Sequence, residues 1–343
     1  MEKNKRSKLN WKSVSLLTAG WVLSCPLVAQ AQLSLEAKYR LLGSEVQASF
    51  EPLRAVLQDS SAVMLDGWKS FGYGVVVSRD GFILTKASEL EDREEFSVRV
   101  GKEQYTEVTV VGIDAQWDVA LLKVDAEDLK PVVWNEGEEP GHGMFVVSNG
   151  ATSRIKRRAR LGIISANARE VGGGSAVVLG VQLKADGDGV VVESVSEESG
   201  AAKAGLKKGD ELVKADGRDI ASREELLKIL EDKAPGDKLA VEFLRDGETQ
   251  TAEVELSARY KAFPAKRTRN DGMSGRTSER RSNFKRVLQH DIGLSERSVG
   301  GPLLDLDGRC VGMNIAYANR AETFAIPAKE LRDVYDKLRG GGE

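Results

Sequence analysis

Side chains able to do chemistry are sparse in this sequence. Its 343 residues include two histidines, His142 and His290, and two cysteines, Cys25 and Cys310, all widely separated. A transition-metal site needs a cluster of such ligands, so no metal or other cofactor is expected. The glycines in "GVQLKADGDG" (180–189) are turn residues rather than a phosphate loop. Both histidines read as ordinary polar residues, and Cys310, in a strand-like run, as a small buried hydrophobe. Two basic clusters stand out: "RIKRRAR" (154–160), with five cations in seven residues, and the Arg/Lys-rich stretch 259–286. They are either contacts for an anionic surface (lipid headgroups, a cell-wall polymer, an acidic protein) or solvated loops. A formal net charge of −3 gives no reason to expect specific nucleic-acid binding.

The patterns that must position these groups change along the chain. Lys3, Lys5, Arg6, Lys8 and Lys12 precede an apolar run from Val14 to Val28 and a small-x-small site at Ala29-Gln30-Ala31, so residues 1–31 are expected to be an export signal. The run is short and broken by Pro26, which argues against a retained membrane helix. Val22-Leu23-Ser24-Cys25 resembles a lipobox only loosely, so a lipid anchor on Cys25 is not expected. Cleavage would leave a more acidic, periplasmic or extracellular chain with Cys310 alone and no intrachain disulfide.

Residues 32–58 space apolar residues at three and four, which predicts a helical segment interrupted at Gly43. Strands follow. "GVVVSRDGFILT" is a hairpin signature around Asp80-Gly81, and many further short apolar runs with turn residues between them predict β-barrels. The stretch 175–256 differs: short strands plus one amphipathic helix, "SREELLKILEDK", opened by a capping box from Ser222 to Glu225. Residues 257–285 are polar and basic and predict a linker. "IPAKELRDVYDKL" closes the chain as a helix.

Four of these stretches together resemble the HtrA type of trypsin-like serine protease. "GYGVVVSRDGFILTKAS" is similar to the family's G-S-G-x-I-I-S-x-D-G-x-I-L-T-N-x-H, and "VVGIDAQWDVALLKVD" to its V-V-G-x-D-x-x-x-D-I-A-L-L-K-V. "LQHDIGLSERSVGGPLLDLDGRCVGMNIA" resembles the segment containing G-N-S-G-G-P-L, and "TFAIPAKEL" resembles G-F-A-I-P. Residues 178–256 resemble the family's PDZ domain: "VLGVQL" stands at its carboxylate loop, and "SGAAKAGLKKGDELVKADGRDI" matches the segment after it. The fold class implied is mainly β: a trypsin-like double β-barrel (59–132; then 133–170 with 286–338) with an α+β PDZ domain inserted in the second barrel at 175–256. HtrA proteins usually carry that module after the protease domain. Close-set termini would make the insertion acceptable.

Carried over residue by residue, the resemblance implies a site without its chemistry. A serine protease needs a nucleophile, a base, a group orienting the base, and oxyanion donors. The orienting aspartate falls on Asp118. The base position falls on Ser88 and the nucleophile position on Val299, neither fit for the task. Arg297 stands where the family has a glycine whose N–H helps bind the oxyanion. Ser298 and Ser295 are neighbouring hydroxyls outside the nucleophile position. His290 falls nine residues before Val299, not at the base position. The expectation is a pseudoprotease that binds protein C-termini or unfolded segments. Leu179, Gly180, Val181, Gln182 and Leu183 would hold the peptide beside the helix 222–233, with Gly180 allowing the backbone to approach the terminal carboxylate. An active quality-control endopeptidase and a scaffold subunit of an active homologue are the alternatives, and a homo-oligomer stays open.

Overall fold

The computed structural model describes residues 35–340 apart from 41–42, 92, 94, 151–157, 173–174, 185–188 and 265–268. The expected export signal with Cys25, and most of the first basic cluster, lie outside the described residues. The helical segment is present as α1 (Ser44–Ser49) and α2 (Glu51–Ser60), with Gly43 at the N-cap of α1 and a proline in the first turn of α2.

Seven antiparallel strands follow: β1 (Ser61–Asp66), β2 (Lys69–Val76), β3 (Phe82–Lys86), β4 (Ser97–Val100), β5 (Glu103–Tyr105), β6 (Val108–Asp114) and β7 (Val119–Val124). Their order is β5-β4-β1-β2-β3-β7-β6. Met64, Phe71, Ile83, Val98 and Leu122 share one core with Tyr105 and Val108 from the two edge strands. Opposite edges reaching the same side chains means that the sheet curls round on itself.

Two strands of the second barrel come next, β8 (Phe145–Gly150) and β9 (Arg158–Val171). The chain then leaves for the inserted module: β10 (Val177–Val178), β11 (Val181–Leu183), β12 (Val190–Val195), α3 (Gly200–Lys203), β13 (Glu211–Ala215), β14 (Arg218–Asp219), α4 (Arg223–Glu231), β15 (Lys238–Arg245), β16 (Glu248–Glu255) and β17 (Ser257–Ala258). Its sheet runs β11-β12-β13-β15-β16, and β10 pairs with β17 where the module begins and ends. Val192, Leu212, Leu226, Leu239, Phe243 and Val254 form its own core. Strand β15 alternates exposed and buried residues as a half-buried strand must. At the start of α4, Ser222 Oγ accepts the Glu225 N–H (3.3 Å), and Glu225 Oε2 accepts from Ala221, one residue earlier than in the usual capping box.

The stretch expected as a basic linker carries structure. It forms α5 (Arg259–Ala262) and α6 (Arg269–Ser274), then lies along a second-barrel strand. That barrel is completed by β18 (Phe284–His290), β19 (Pro302–Leu304), β20 (Cys310–Asn319) and β21 (Glu322–Pro327), and it closes in the order β18-β21-β20-β19-β8-β9. The terminal helix α7 (Ala328–Gly340) buries Leu331 and Val334 in a core shared by both sheets, with Leu57, Leu84, Leu121, Ile315 and Ile326. Among the described residues no helix is long and apolar enough to cross a membrane.

Candidate functional site

Asp118 immediately precedes β7 and has φ +60, a conformation that aspartate tolerates better than most residues. The turn aims its carbonyl at the Ala87 N–H (2.8 Å) and its carboxylate at Ser88. The Ser88 N–H donates to Oδ1 at 2.8 Å and the Ser88 hydroxyl donates to Oδ2 at 2.9 Å. Asp118 is 2% exposed. Burial pushes its carboxyl pKa up, while Arg280, Lys86 and the two Ser88 bonds oppose that rise. Lys86 is itself buried at the end of β3, with Nζ 3.2 Å from Glu89 Oε1 and 3.4 Å from the Arg280 carbonyl.

Val299 is fully buried, and its carbonyl accepts the Tyr73 N–H at 2.9 Å. Gly300 follows with φ +85, and a Cβ there would lie 2.0 Å from the Tyr73 carbonyl, so only glycine fits this turn. Before it, Glu296–Ser298 make one 3-10 turn. The hydroxyls of Ser295 and Ser298 bond each other at 3.1 Å. The Arg297 side chain is 48% exposed and 3.8 Å from Glu296.

His290, wholly buried at the end of β18, holds this loop from beneath. Its Nε2 lies 2.7 Å from Asn314 Oδ1 and its Nδ1 accepts the Ile292 N–H at 3.3 Å, which assigns the proton to Nε2. Asn314 Nδ2 then donates to Ser148 Oγ (2.6 Å) and to the Gly301 carbonyl (3.1 Å), and the Ser148 hydroxyl donates to the Pro302 carbonyl (2.8 Å). Burial pushes the His290 pKa down to about 4, against the Asn314 bond and the Asp291 charge. Both ring nitrogens are committed, so neither is open to a hydroxyl of the loop. His142 is exposed in its turn.

Arg280, from the presumed linker, is also buried. Its guanidinium donates to the carbonyls of Ala115, Gln116 (2.7 Å) and Asn283 (3.0 Å), beside the turn bearing Asp118. Ser278 N–H donates to the Tyr317 carbonyl and Tyr317 N–H donates to Ser278 Oγ, both at 3.0 Å, so this stretch docks on β20. Arg281 pairs with Asp271 (2.9 Å), and Arg286 bridges Glu139 (2.9 Å) and Glu330 (2.6 Å). Of the described cations in the second basic cluster, Arg280 is buried, while Lys261, Arg269, Arg276 and Lys285 are exposed. In the first cluster, Arg160 is tied to the Gly293 carbonyl at 2.5 Å. Lys86, Arg280 and Asn314 were not anticipated. A lysine inside the buried strand "FILTK" was the available signal for the first, and no local pattern marked the other two.

The module holds a second site. Strand β11 is an edge strand, paired with β12 on one side only. It faces α4 across a cavity of about 400 Å³ lined by Leu179, Val181, Gln182 and Leu183 on one wall and Leu226, Leu227 and Leu230 on the other. Gly180 has φ +91, and a Cβ there would lie 2.1 Å from Ser199 Cβ. Glycine is thus required by the fold itself, through Ser199, besides any approach of a ligand. A bulky substitution at this position would not separate binding from folding. Arg259 and Phe263, beyond the expected end of the module, also line the cavity.

A family model described as trypsin-like peptidase domain matches residues 72–189, and one described as PDZ domain matches residues 177–256. A probable periplasmic serine endoprotease DegP-like of Pseudomonas fulva (strain 12-X) is 26% identical over 267 residues, covering 55% of this chain and 56% of that protein. Its counterpart in Marinomonas sp. (strain MWYL1) is 26% identical over 269 residues, covering 55% and 57%. Among solved structures, the inactive form of Rv3671c from M. tuberculosis H37Rv matches with TM-score 0.45 at 17% identity, covering 84% of this chain and 91% of that one. The chain spans about half the length of the curated relatives it matches. A trypsin-like double barrel, an inserted PDZ domain and DegP-like relatives together support the HtrA type of trypsin-like serine protease as the family this chain resembles.

Proposed function

We propose that this protein is an exported, periplasmic-type member of the HtrA family that binds polypeptide C-termini and does not cleave them. The observation that carries the reading is the pairing of Asp118 with Ser88. In this fold the aspartate's task is to orient a base, and here its carboxylate is taken by a serine amide and hydroxyl at 2.8 and 2.9 Å. Val299, fully buried at the matching loop position, has no atom to attack a carbonyl. Loss of nucleophile or base from such a triad lowers turnover by roughly 10⁶. Binding needs neither group, and the β11–α4 groove has the form that takes an extended peptide as an added strand. The export assignment is supported by the sequence of residues 1–31 and by the printed description of the relatives as periplasmic.

The experiment is a titration of the full chain with one hydrophobic-ended decapeptide as free acid and as C-terminal amide, the peptide being recovered for mass analysis. The expected result is tighter binding of the acid, because charge-assisted bonds to the 179–181 loop are lost on amidation, with the peptide intact. Equal affinities would remove carboxylate capture and leave an internal scaffold.

The relatives' description as endoproteases favours a second reading, a cleaving enzyme with an unorthodox nucleophile. Its candidate would be Ser298, whose substitution by alanine would then abolish any cleavage.

A further inference from the structure

We propose that the groove selects C-termini carrying an acidic side chain upstream of the terminal residue, and that Arg223 and Arg259 read that acid. This rests on the C-terminus-binding reading and names the ligand chemistry of the same site. On α4, Arg223, Leu226, Leu227 and Leu230 stand at helical spacings of three, four and seven, so one face presents a cation at its start and apolar side chains beyond it. The step from 223 to 230 is roughly 10 Å along a helix axis, about three residues of an extended strand. A peptide whose last side chain sits among the leucines thus runs past Arg223 within its last few residues.

Arg259 enters the same cavity from α5, an element outside the PDZ match. Its guanidinium lies 5.9 Å from the Phe263 ring centroid, and that ring also lines the cavity. Among the described residues, neither Arg223 nor Arg259 forms an ion pair or a side-chain hydrogen bond; the Arg259 guanidinium makes a cation–π contact to Phe263. By contrast, Arg245 sits on Asp210 and Arg281 on Asp271. Burial, and then the charge of Arg223, push the Arg259 pKa down, as expected for two like charges sharing a partly enclosed space without a counterion. The acidic residue in the lining, Glu193, belongs to β12 on the sheet side and pairs with neither arginine. A carboxylate on the incoming peptide supplies what the pair lacks, and bidentate geometry suits guanidinium to that task.

The test uses the full-length chain and fluorescein-labelled decapeptides ending in a free-acid valine. Glutamate is stepped through the second, third and fourth positions from the end, with glutamine and lysine counterparts at each. At one position the glutamate peptide should bind about tenfold more tightly than the glutamine peptide, and the lysine peptide more weakly than either. That preference should shrink as salt is raised. Arg223→Gln and Arg259→Gln should each reduce the ratio of glutamate-peptide to glutamine-peptide affinity. If glutamate and glutamine peptides bind equally at every position while the free acid still exceeds the amide, the inference falls and C-terminus binding stands. If the free acid and the amide bind equally, or none of the peptides binds, both fall. The wild-type peptide series decides the matter even if an arginine variant folds poorly.

Discussion

Asp118 is held in a site that makes a buried carboxylate structural. It accepts two bonds from Ser88 and lies near two buried cations, Lys86 and Arg280. Removing one member of a buried charge set leaves the others uncompensated. Lys86 keeps Glu89 and Arg280 keeps its carbonyls, so Asp118→Ala should cost about 3 kcal/mol in urea unfolding, at the low end for such a loss. Ser88→Ala should cost about 1 kcal/mol, the ordinary value of one hydrogen bond. A change of less than 0.5 kcal/mol for Asp118→Ala would mean that the carboxylate is not the anchor described.

His290 gives a pH signature at the same scale. Burial depresses its folded pKa to about 4 from the ordinary 6.5 of a histidine. For a depressed base the unfolded chain takes up the proton first as pH falls. The stability that the neutral imidazole contributes is therefore complete above pH 6.5, is lost between 6.5 and 4, and stays lost below. The loss is on the order of 3 kcal/mol. His290→Gln should flatten that window in a series of unfolding curves. Parallel curves for the two proteins would contradict the buried, neutral assignment.

At the scale of elements, much of the architecture is legible in local pattern. The Asp80-Gly81 hairpin, the break at Gly43 and the Ser222 cap are encoded within a few residues, and the ordered motifs carry the double barrel and the inserted module. What local pattern does not carry is where a polar side chain goes when its partner is far along the chain. Arg280 finds the carbonyl of Ala115 across 165 positions, so a basic segment that looks solvated becomes a buried strut. Arg259 and Phe263 line the groove for the same reason: α5 is placed by the pairing of β10 with β17, not by its own sequence. The docked stretch yields a prediction. In hydrogen exchange the Ser278 and Asn283 amides, bonded to Tyr317 and Val171, should exchange at least tenfold more slowly than an exposed loop, and Arg280→Gln should remove most of that protection. Fast exchange in the wild-type chain would contradict the docking.

Across the whole molecule, the inserted module is joined at paired ends. Val177 faces Ala258 across β10 and β17, and Phe284 pairs with Val171 where the barrel resumes. Its core is distinct from the one shared by the barrels, and it meets them through contacts such as Gln116 to the Glu231 carbonyl, with Ala115 packed against its edge. Replacing 177–258 by a short Gly-Ser turn should leave a cooperative barrel transition in thermal unfolding. Loss of any transition would show that the barrels depend on the module.

On the proposed reading, a trypsin-like scaffold keeps its shape without its chemistry. The measurement that meets it directly is incubation of the purified chain with unfolded casein, read by mass spectrometry for new termini, beside the single variant Val299→Ser. The expected result is no cleavage by either protein: a serine such as Ser88 is no general base, His290 is committed to Asn314 and the Ile292 amide, and the resemblance places Arg297 where the family has its oxyanion glycine. Cleavage by the wild-type chain that is lost in Ser298→Ala, or activity restored by Val299→Ser alone, would contradict it.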